Sequence, residues 1–324
     1  MKKDKKMFIL IEAVLGSLVL VLAFVMLQEK NEKEKQKIAV IIENSDDNQW
    51  AGLKYGLKKA AEDRDVELSV ASTGPTLTAK EQEKLIRQEV EGGADAVILQ
   101  PVVDRDTEKT LQEAERELPV MLIGENPVKR KESTEIPVVR PDNYAMGRKL
   151  AEELLKDYNG HLKGKSLGIL NREKESEDIK QRKKGFEEGI KGKGAEFVWS
   201  YFIAADHEAA EDLEKQPEVD FVIAFDDDSL TAAGNCAASN NLHGALVYGI
   251  GHSTEAVYYL DTGAAECLAV PDEFQIGYQS LITLLEQMEQ PFKERNSHEI
   301  SYAVIRRENL FSRENQEILY TMSQ

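Results

Sequence analysis

Residues 37–61 read KIAVIIENSDDNQWAGLKYGLKKAA, and this stretch decides the fold. The apolar run at 38–42 has no helical periodicity, which is typical of a strand buried on both faces of a parallel sheet. A polar loop with several helix N-cap candidates follows, and the apolar residues after it fall on one helical face: Trp50, Leu53, Leu57, Ala60 and Ala61. The stretch therefore predicts a strand, a loop and a helix, with the loop at the sheet edge where open α/β folds bind ligands.

The same alternation of buried strand and amphipathic helix continues along the chain. We predict further strands at 66–70, 94–99, 119–123, 166–170, 196–201, 221–225, 245–250 and 264–269. Helices are predicted at 78–91, 106–117, 142–155, 175–190, 207–215, 228–238 and 274–288, and a final extended segment at 299–305. A break near 138–143 separates two sets of elements. The sequence therefore predicts an α/β protein with two lobes, each built on a doubly wound parallel sheet.

The amino-terminal residues predict attachment to a membrane. Residues 7–27 are almost wholly apolar and match the roughly 20 residues that cross a hydrocarbon core as a helix. The lysines of the tail at 1–6 place it in the cytoplasm and everything beyond the span outside. The alternative is a cleaved signal peptide, but the apolar run is long for one and no convincing small-residue cleavage site follows. Residues 28–36 then form a charged stalk before a domain at 37–324.

Composition and cysteine usage exclude several classes of function. The chain has 59 Asp and Glu against 41 Lys and Arg, a net charge of −18. Such a surface repels phosphate backbones, so no nucleic-acid partner is expected. Cys236 and Cys267 lack metal-ligand spacing and are interpreted as buried thiols. The sequence contains no phosphate loop, metal motif or set of nucleophile, base and orienting residue, so we expect neither a cofactor nor catalysis.

The order and spacing of eight motifs resemble the periplasmic binding protein type I family, in particular its ribose- and galactose-type sugar receptors. The motifs are KIAVII (37–42), GGADAVILQP (92–101), PVMLIG (119–124), PDNYAMG (141–147), RKKGF (182–186), FDDD (225–228), PDEFQIGYQS (271–280) and AVIRRENL (303–310). The resemblance implies two lobes joined by three crossings, near 138–141, 270–273 and 297–302. Lobe 1 would then comprise 37–139 and 272–299, and lobe 2 would comprise 140–271 and 300–324.

The resemblance also implies a ligand site between the lobes. The loop after the first strand supplies Asp47, Gln49 and Trp50, of which Trp50 is the candidate stacking surface; the alternative is a core anchor of its helix. Arg182 matches the family's ligand arginine, and its planar fork suits hydroxyls or a carboxylate. The alternative for Arg182 is one charge on a solvated helix. Asp226 matches an Asn-Asp pair of the family, although one of the three acids at 226–228 is expected to cap the next helix.

Three ligand positions of the family carry different residues in this chain. The Asp-Arg pair after the fourth strand falls on Gly124 and Glu125, an Asp of a later strand falls on Gly251, and a Gln before the second crossing falls on Pro271. We keep Glu125 as a candidate ligand residue. The set of polar groups that holds a pentose or a hexose is therefore incomplete.

The expected function is that of a membrane-anchored extracellular receptor whose lobes close around a small polar ligand, a sugar or a derivative. Its expected partner is an ABC permease or a sensor histidine kinase. One alternative is a ligand-free docking or regulatory partner of a sensor kinase, suggested by the missing cleft residues. Another is a repressor of the lactose type, which shares the fold but needs a helix-turn-helix before residue 60, where the apolar span at 7–27 lies.

Overall fold

The computed structural model describes residues 15–19, 21, 35–45, 48–74, 76–127, 136–171, 177–203, 209–290 and 295–320. The chain divides into two compact units, Met1–Gln36 and Lys37–Gln324. Of the predicted span at 7–27, residues 15–19 and 21 are helical and the remainder lies outside the described residues, as do the tail at 1–6 and most of the stalk at 28–36. None of the described helices combines the length and apolar character that a bilayer crossing demands.

Six parallel strands form the first sheet of the second unit and define lobe 1. Numbered along the chain, they are β1 (Lys37–Ile41), β2 (Glu67–Val70), β3 (Ala96–Leu99), β4 (Val120–Ile123), β5 (Val138–Pro141) and β11 (His298–Ile300). Their order is β11-β5-β4-β3-β1-β2. Residues 38–41 of β1 are wholly buried because alternate side chains pack into helix layers on the two faces, as predicted.

Four helices cover the lobe 1 sheet: α1 (Ala51–Arg64), α2 (Ala79–Glu91), α3 (Thr107–Glu117) and α9 (Glu273–Glu289). Leu53 and Leu57 of α1 share one core cluster with Leu281 of α9. Ile86 of α2 and Leu111 of α3 fill the cluster on the opposite face. The sheet is therefore a buried layer between two helix layers, and only its carboxyl edge is open to lobe 2.

A second six-stranded sheet defines lobe 2. Its strands are β6 (Ser166–Asn171), β7 (Glu196–Phe202), β8 (Phe221–Ala224), β9 (Leu246–Ile250), β10 (Cys267–Pro271) and β12 (Tyr302–Ile305), in the order β12-β10-β9-β8-β6-β7. Its helices are α4 (Asn143–Asp157), α5 (Glu177–Ile190), α6 (Ala209–Glu214), α7 (Asp227–Ala238), α8 (Thr254–Thr262) and α10 (Arg313–Tyr320). α4 and α5 pack together on one face of the sheet, and α7 and α8 pack on the other.

Three short segments connect the lobes, at 141–143, 271–273 and 300–302. The backbone N–H of Asp142 donates to the carbonyl oxygen of Ile300 at 3.1 Å, and that of Asp272 donates to the carbonyl oxygen of Ser301 at 3.3 Å. The side chains of Asp142 and Asp272 also cap α4 and α9. The three segments therefore lie side by side; the first two lead directly into α4 and α9, and the third leads into β12.

The extended segment predicted at 299–305 is two strands, one in each sheet. Ser301 separates β11 from β12. Since the chain enters lobe 2 at this crossing without an intervening helix, β12 runs away from the crossing and is antiparallel to its neighbour β10. Lobe 2 therefore carries one antiparallel edge strand on an otherwise parallel sheet, which departs from the predicted parallel sheets.

Candidate functional site

The loops that follow the strands of the two sheets meet between the lobes. Nε2 of His252, after β9, lies 3.3 Å from the backbone carbonyl oxygen of Gln49, after β1. The backbone N–H of Glu177, at the start of α5, donates to Oε2 of Glu125, after β4, at 3.0 Å. These contacts join lobe 2 to lobe 1 at the carboxyl ends of the strands, which is the edge where α/β sheets bind ligands.

Trp50 ends the 3-10 turn Asn48–Trp50 that leads into α1. Its indole N–H donates to the carbonyl oxygen of Glu43 at 2.8 Å, and its ring packs against the lobe 1 core. The side chain is only partly buried, so it anchors the turn while part of its surface stays accessible. Its stacking on a ligand stays a prediction, and the neighbouring candidate Asp47 lies outside the described residues.

Arg182 lies on α5 with two of its guanidinium nitrogens engaged. Nε donates to Oδ1 of Asn143 and Nη1 donates to the carbonyl oxygen of Phe225, each at 2.7 Å. Asn143 is the buried first residue of α4, and Phe225 directly follows β8. The arginine is therefore not a solvated surface charge, because these bonds hold it at the carboxyl end of the lobe 2 sheet.

Asp226 and Asp227, at the start of α7, accept hydrogen bonds from different parts of lobe 2. Asp226 caps α7, since its carboxylate accepts from the backbone N–H of Ser229 at 2.8 Å and from the Ser229 hydroxyl at 2.7 Å. Asp227 instead accepts from the backbone N–H groups of His252 and Ser253, both at 3.1 Å. Asp227 thus fixes the loop that carries His252 towards lobe 1. A ligand contact by Asp226 stays a prediction.

Glu125 connects lobe 1 to a helix of lobe 2. It follows Gly124, whose φ of 81° lies in the left-handed region that favours glycine. The first N–H groups of a helix have no partner within that helix, and the N-terminus carries a partial positive charge. The Glu125 carboxylate satisfies one such group, the N–H of Glu177 on α5. We therefore assign Glu125 an interlobe contact, and its contact with a ligand stays a prediction.

Two further carboxylates, which sequence analysis did not single out, lie in the same region. Burial raises the pKa of Asp178 on α5, and the nearby positive charges of Arg182 and Arg140 oppose the rise. Burial also raises the pKa of Glu273, the first residue of α9, and His252 and Arg182 oppose that rise. Both acids therefore lie within electrostatic range of Arg182, although they come from different lobes.

Asn171 adds a buried amide at the end of β6. Its side chain is 1% exposed, and Oδ1 has no hydrogen-bond partner within the described part of the chain. Leu167 and Ile169 precede it on the same face of the strand and pack with Phe186 of α5. The amide therefore lies on the face that α5 covers, at the open carboxyl edge of the sheet.

The chemistry of these groups is that of binding. Across the described ranges, no group of three or more His, Cys, Asp or Glu side chains is arranged to hold a metal ion. Cys236 and Cys267 are buried and free, and burial raises the pKa of the Cys267 thiol to about 12, which keeps it protonated and unreactive. What the cleft offers is a fixed guanidinium, carboxylates and amide oxygens that can hold a polar molecule.

Solved structures with the same fold include two solute-binding proteins and one protein complex. A carbohydrate transporter solute-binding protein from Agrobacterium radiobacter, solved with D-arabinose, is 20% identical, with a TM-score of 0.73 over 88% of this chain and 99% of that chain. An ABC transporter solute-binding protein from Agrobacterium vitis, bound with alpha-D-tagatopyranose, is 16% identical, with a TM-score of 0.76 over 88% and 99%. The XylFII–LytSN complex matches at 18% identity, with a TM-score of 0.69 over 85% and 98%.

At these identities the likeness establishes the fold alone. No curated protein matches the chain. The periplasmic binding protein domain family, however, matches residues 38–291, which include both sheets apart from the first residue of β1 and the short strands β11 and β12. The chain therefore belongs to the periplasmic binding protein domain family.

Proposed function

We propose that the chain is a membrane-anchored extracellular solute receptor that closes its two lobes around a small polar ligand, a sugar or a sugar derivative. The setting of Arg182 carries this proposal. The hydrogen bonds that it donates to Asn143 and Phe225 hold its guanidinium in one orientation at the edge of lobe 2, and the Gln49–Trp50 turn forms the facing wall in lobe 1. A guanidinium that is already fixed in orientation can bind hydroxyls without losing further side-chain conformational entropy.

The relatives support a sugar-like ligand. Two structural neighbours were solved with monosaccharides, D-arabinose and alpha-D-tagatopyranose. In our proposal the ligand touches both lobes, so it stabilises the closed arrangement only through contacts that the open arrangement lacks. The function is binding and release, without chemical conversion of the ligand.

Replacing Arg182 or Trp50 by Ala should abolish the rise in melting temperature that a ligand produces, while the fold is retained. Loss of a charge-assisted hydrogen bond costs about 1.5–3 kcal/mol, which is roughly a 10- to 150-fold weaker affinity. The measurement is differential scanning fluorimetry and calorimetry of the full chain with D-arabinose, D-tagatose, other monosaccharides, polyols and amino compounds. Lys183→Ala, on the same helix, is the control. If the ligand raises the melting temperature of both variants as much as that of the wild type, neither Arg182 nor Trp50 belongs to the ligand site.

The membrane anchor at 7–27 is part of the proposal. Its described residues Leu15, Leu18, Val19 and Val21 are apolar, and each is between 57% and 61% exposed. Apolar side chains in this setting gain free energy from a lipid environment. We expect the full chain to sediment with membranes and a chain starting at Lys37 to remain in the supernatant. Protease added to whole cells should degrade the domain at 37–324; its protection would contradict the proposed orientation.

The partner in our proposal is a membrane protein, either an ABC permease or a sensor histidine kinase. One structural neighbour was solved as a complex of XylFII with LytSN, which supports a role in protein assembly alongside ligand binding. A short tether favours sensing, because it keeps the lobes next to the membrane. The neighbouring genes distinguish the two roles: a permease and an ATPase indicate transport, and a kinase and a response regulator indicate signalling.

A second candidate function is ligand-free docking to such a sensor. The direct contacts from His252 to Gln49 and from Glu177 to Glu125 favour it, because they join the lobes through protein atoms alone. Under this candidate, no compound in the panel above shifts the melting temperature or gives heat of binding. That result would exclude the receptor.

A further inference from the structure

Among the described residues, three side chains at the cleft offer acceptors to a ligand: Asn171, Asp178 and Glu273. Oδ1 of Asn171 is buried without a partner among the described residues. The side chains of Asp178 and Glu273 are half-buried, and their burial penalises the charge of both carboxylates. Arg182 has already given two donors to Asn143 and Phe225. A ligand that closes over these three side chains takes the two carboxylates out of water as well, which is costly unless the ligand donates hydrogen bonds to them.

Glu273 is placed to face both lobes. As the first residue of α9 it is also the last residue of the crossing at 271–273. A Cβ atom added to Gly52, in the first turn of α1, would lie 3.1 Å from the Cβ of Glu273, so the residue sits beside the turn that carries Trp50. It is also within electrostatic range of Arg182 and His252 in lobe 2. A ligand between the lobes would therefore meet this carboxylate.

Among the described charged groups around Arg182, the balance of charge is negative. Arg182 is in electrostatic range of Asp178 and Glu273, and Asp227 adds a third carboxylate that acts on Glu273. Arg140, the other guanidinium near Asp178, is paired with Glu299 at 3.1 Å. Hydroxyl groups of a neutral sugar supply donors, but they do not neutralise carboxylates taken out of water. A protonated amine does both, since it brings three donors and a positive charge.

We infer that the ligand of this cleft carries a protonated amine, as an amino sugar or another amine-bearing polyol does, with Glu273 and Asp178 as the residues that select it and Asn171 as an additional acceptor. The inference rests on the proposed function, because it names the ligand class of the same site. Glu273 acts as a specificity-determining residue in lobe 1, and Asp178 acts as its counterpart in lobe 2.

Calorimetry of the full chain at about pH 6, where such amines are protonated, tests the inference. The probes are D-galactosamine and D-glucosamine, each beside its parent sugar and its N-acetyl derivative, which lacks the charge. We expect the amines to bind at least about tenfold tighter than both uncharged counterparts. Equal affinity for amine and parent sugar, or for amine and N-acetyl derivative, overturns the inference.

The Glu273→Gln variant should lose the preference for the amine while keeping any affinity for the parent sugar. Glu286→Gln makes the same charge change on the exposed face of α9 and should keep the preference. Asp178→Asn provides the same test from lobe 2 if Glu273→Gln fails to fold. A neutral sugar that binds without any preference for amines overturns the inference but leaves the proposed receptor intact. Absence of binding by every probe and every compound of the broader panel overturns both.

Discussion

Replacing Arg306 by Met should lower the free energy of unfolding by about 3 kcal/mol, because the change breaks a buried ionic network. Arg306 directly follows β12, and its side chain links this segment to α4. Its Nε donates to Oε2 of Glu153 at 3.0 Å, and its Nη1 donates to Oδ2 of Asp157 at 3.1 Å. The Glu153 side chain is only 5% exposed. Met fills the space of the arginine stem but removes one partner of this carboxylate, which keeps Lys149 and Lys156.

The decrease in the free energy of unfolding caused by Arg306→Met should depend on pH. Burial pushes the pKa of Glu153 upward, but the hydrogen bonds from Lys156 and Arg306 outweigh burial and hold the pKa below the usual 4.5. A carboxylate with a lowered pKa stabilises the fold fully above its unfolded pKa, and this contribution disappears as the pH falls through the folded value. The deficit of the variant should therefore be complete above about pH 4.5 and shrink below it.

Urea denaturation across this pH range measures the effect of Arg306→Met. Arg307→Met is the matched control, because Arg307 is the next residue in the chain and its side chain is exposed. A double variant that adds Glu153→Gln should recover part of the loss, because the buried charge that lost its arginine partner is then absent. Equal stability of the Arg306 and Arg307 variants would show that the network contributes nothing to folding.

The fold could be predicted because its signals are local and repeated. The run at 38–42 is apolar at every position, which is typical of a short strand buried on both faces, and all five residues are buried. The split of the last extended segment could not be predicted in this way. Val304 and Ile300 have the same strand propensity, and only the position of the crossing assigns β11 and β12 to different sheets.

The candidate site was predictable only in part. Arg182 could be picked out because a Gly-Phe pair follows it, but the choice between Asp226 and Asp227 depends on a loop 25 residues further along the chain. Asp178 lies four residues before Arg182, a spacing that places both on one helix face and could have identified it. Glu273 resembles an ordinary acid in a first helical turn, and the charged groups near it, on His252 and Arg182, come from segments that are distant in sequence.

Adding one methyl group at Gly147 should destabilise the protein by about 1–3 kcal/mol through overpacking and should weaken the ligand site at the same time. The Cβ of Gly147→Ala on α4 would lie 1.8 Å from the carbonyl oxygen of Arg182 on α5. The contact is reciprocal, because a Cβ at Gly185 on α5 would lie 2.1 Å from the carbonyl oxygen of Tyr144 on α4. Both neighbours are helix backbone, so the helices can only separate.

This separation would act directly on the site. Nε of Arg182 is held by Asn143 on α4, so moving α5 outward stretches the bond that orients the guanidinium. The variant should therefore lose ligand affinity as well as stability, with measurable loss in calorimetry even at temperatures where it is fully folded. Gly92→Ala is the control, since the nearest atom to its added methyl is a carbonyl oxygen of its own helix at 3.2 Å. If Gly147→Ala melts earlier but binds as tightly as the wild type, the close packing of α4 and α5 sets stability alone, and the position of Arg182 does not depend on it.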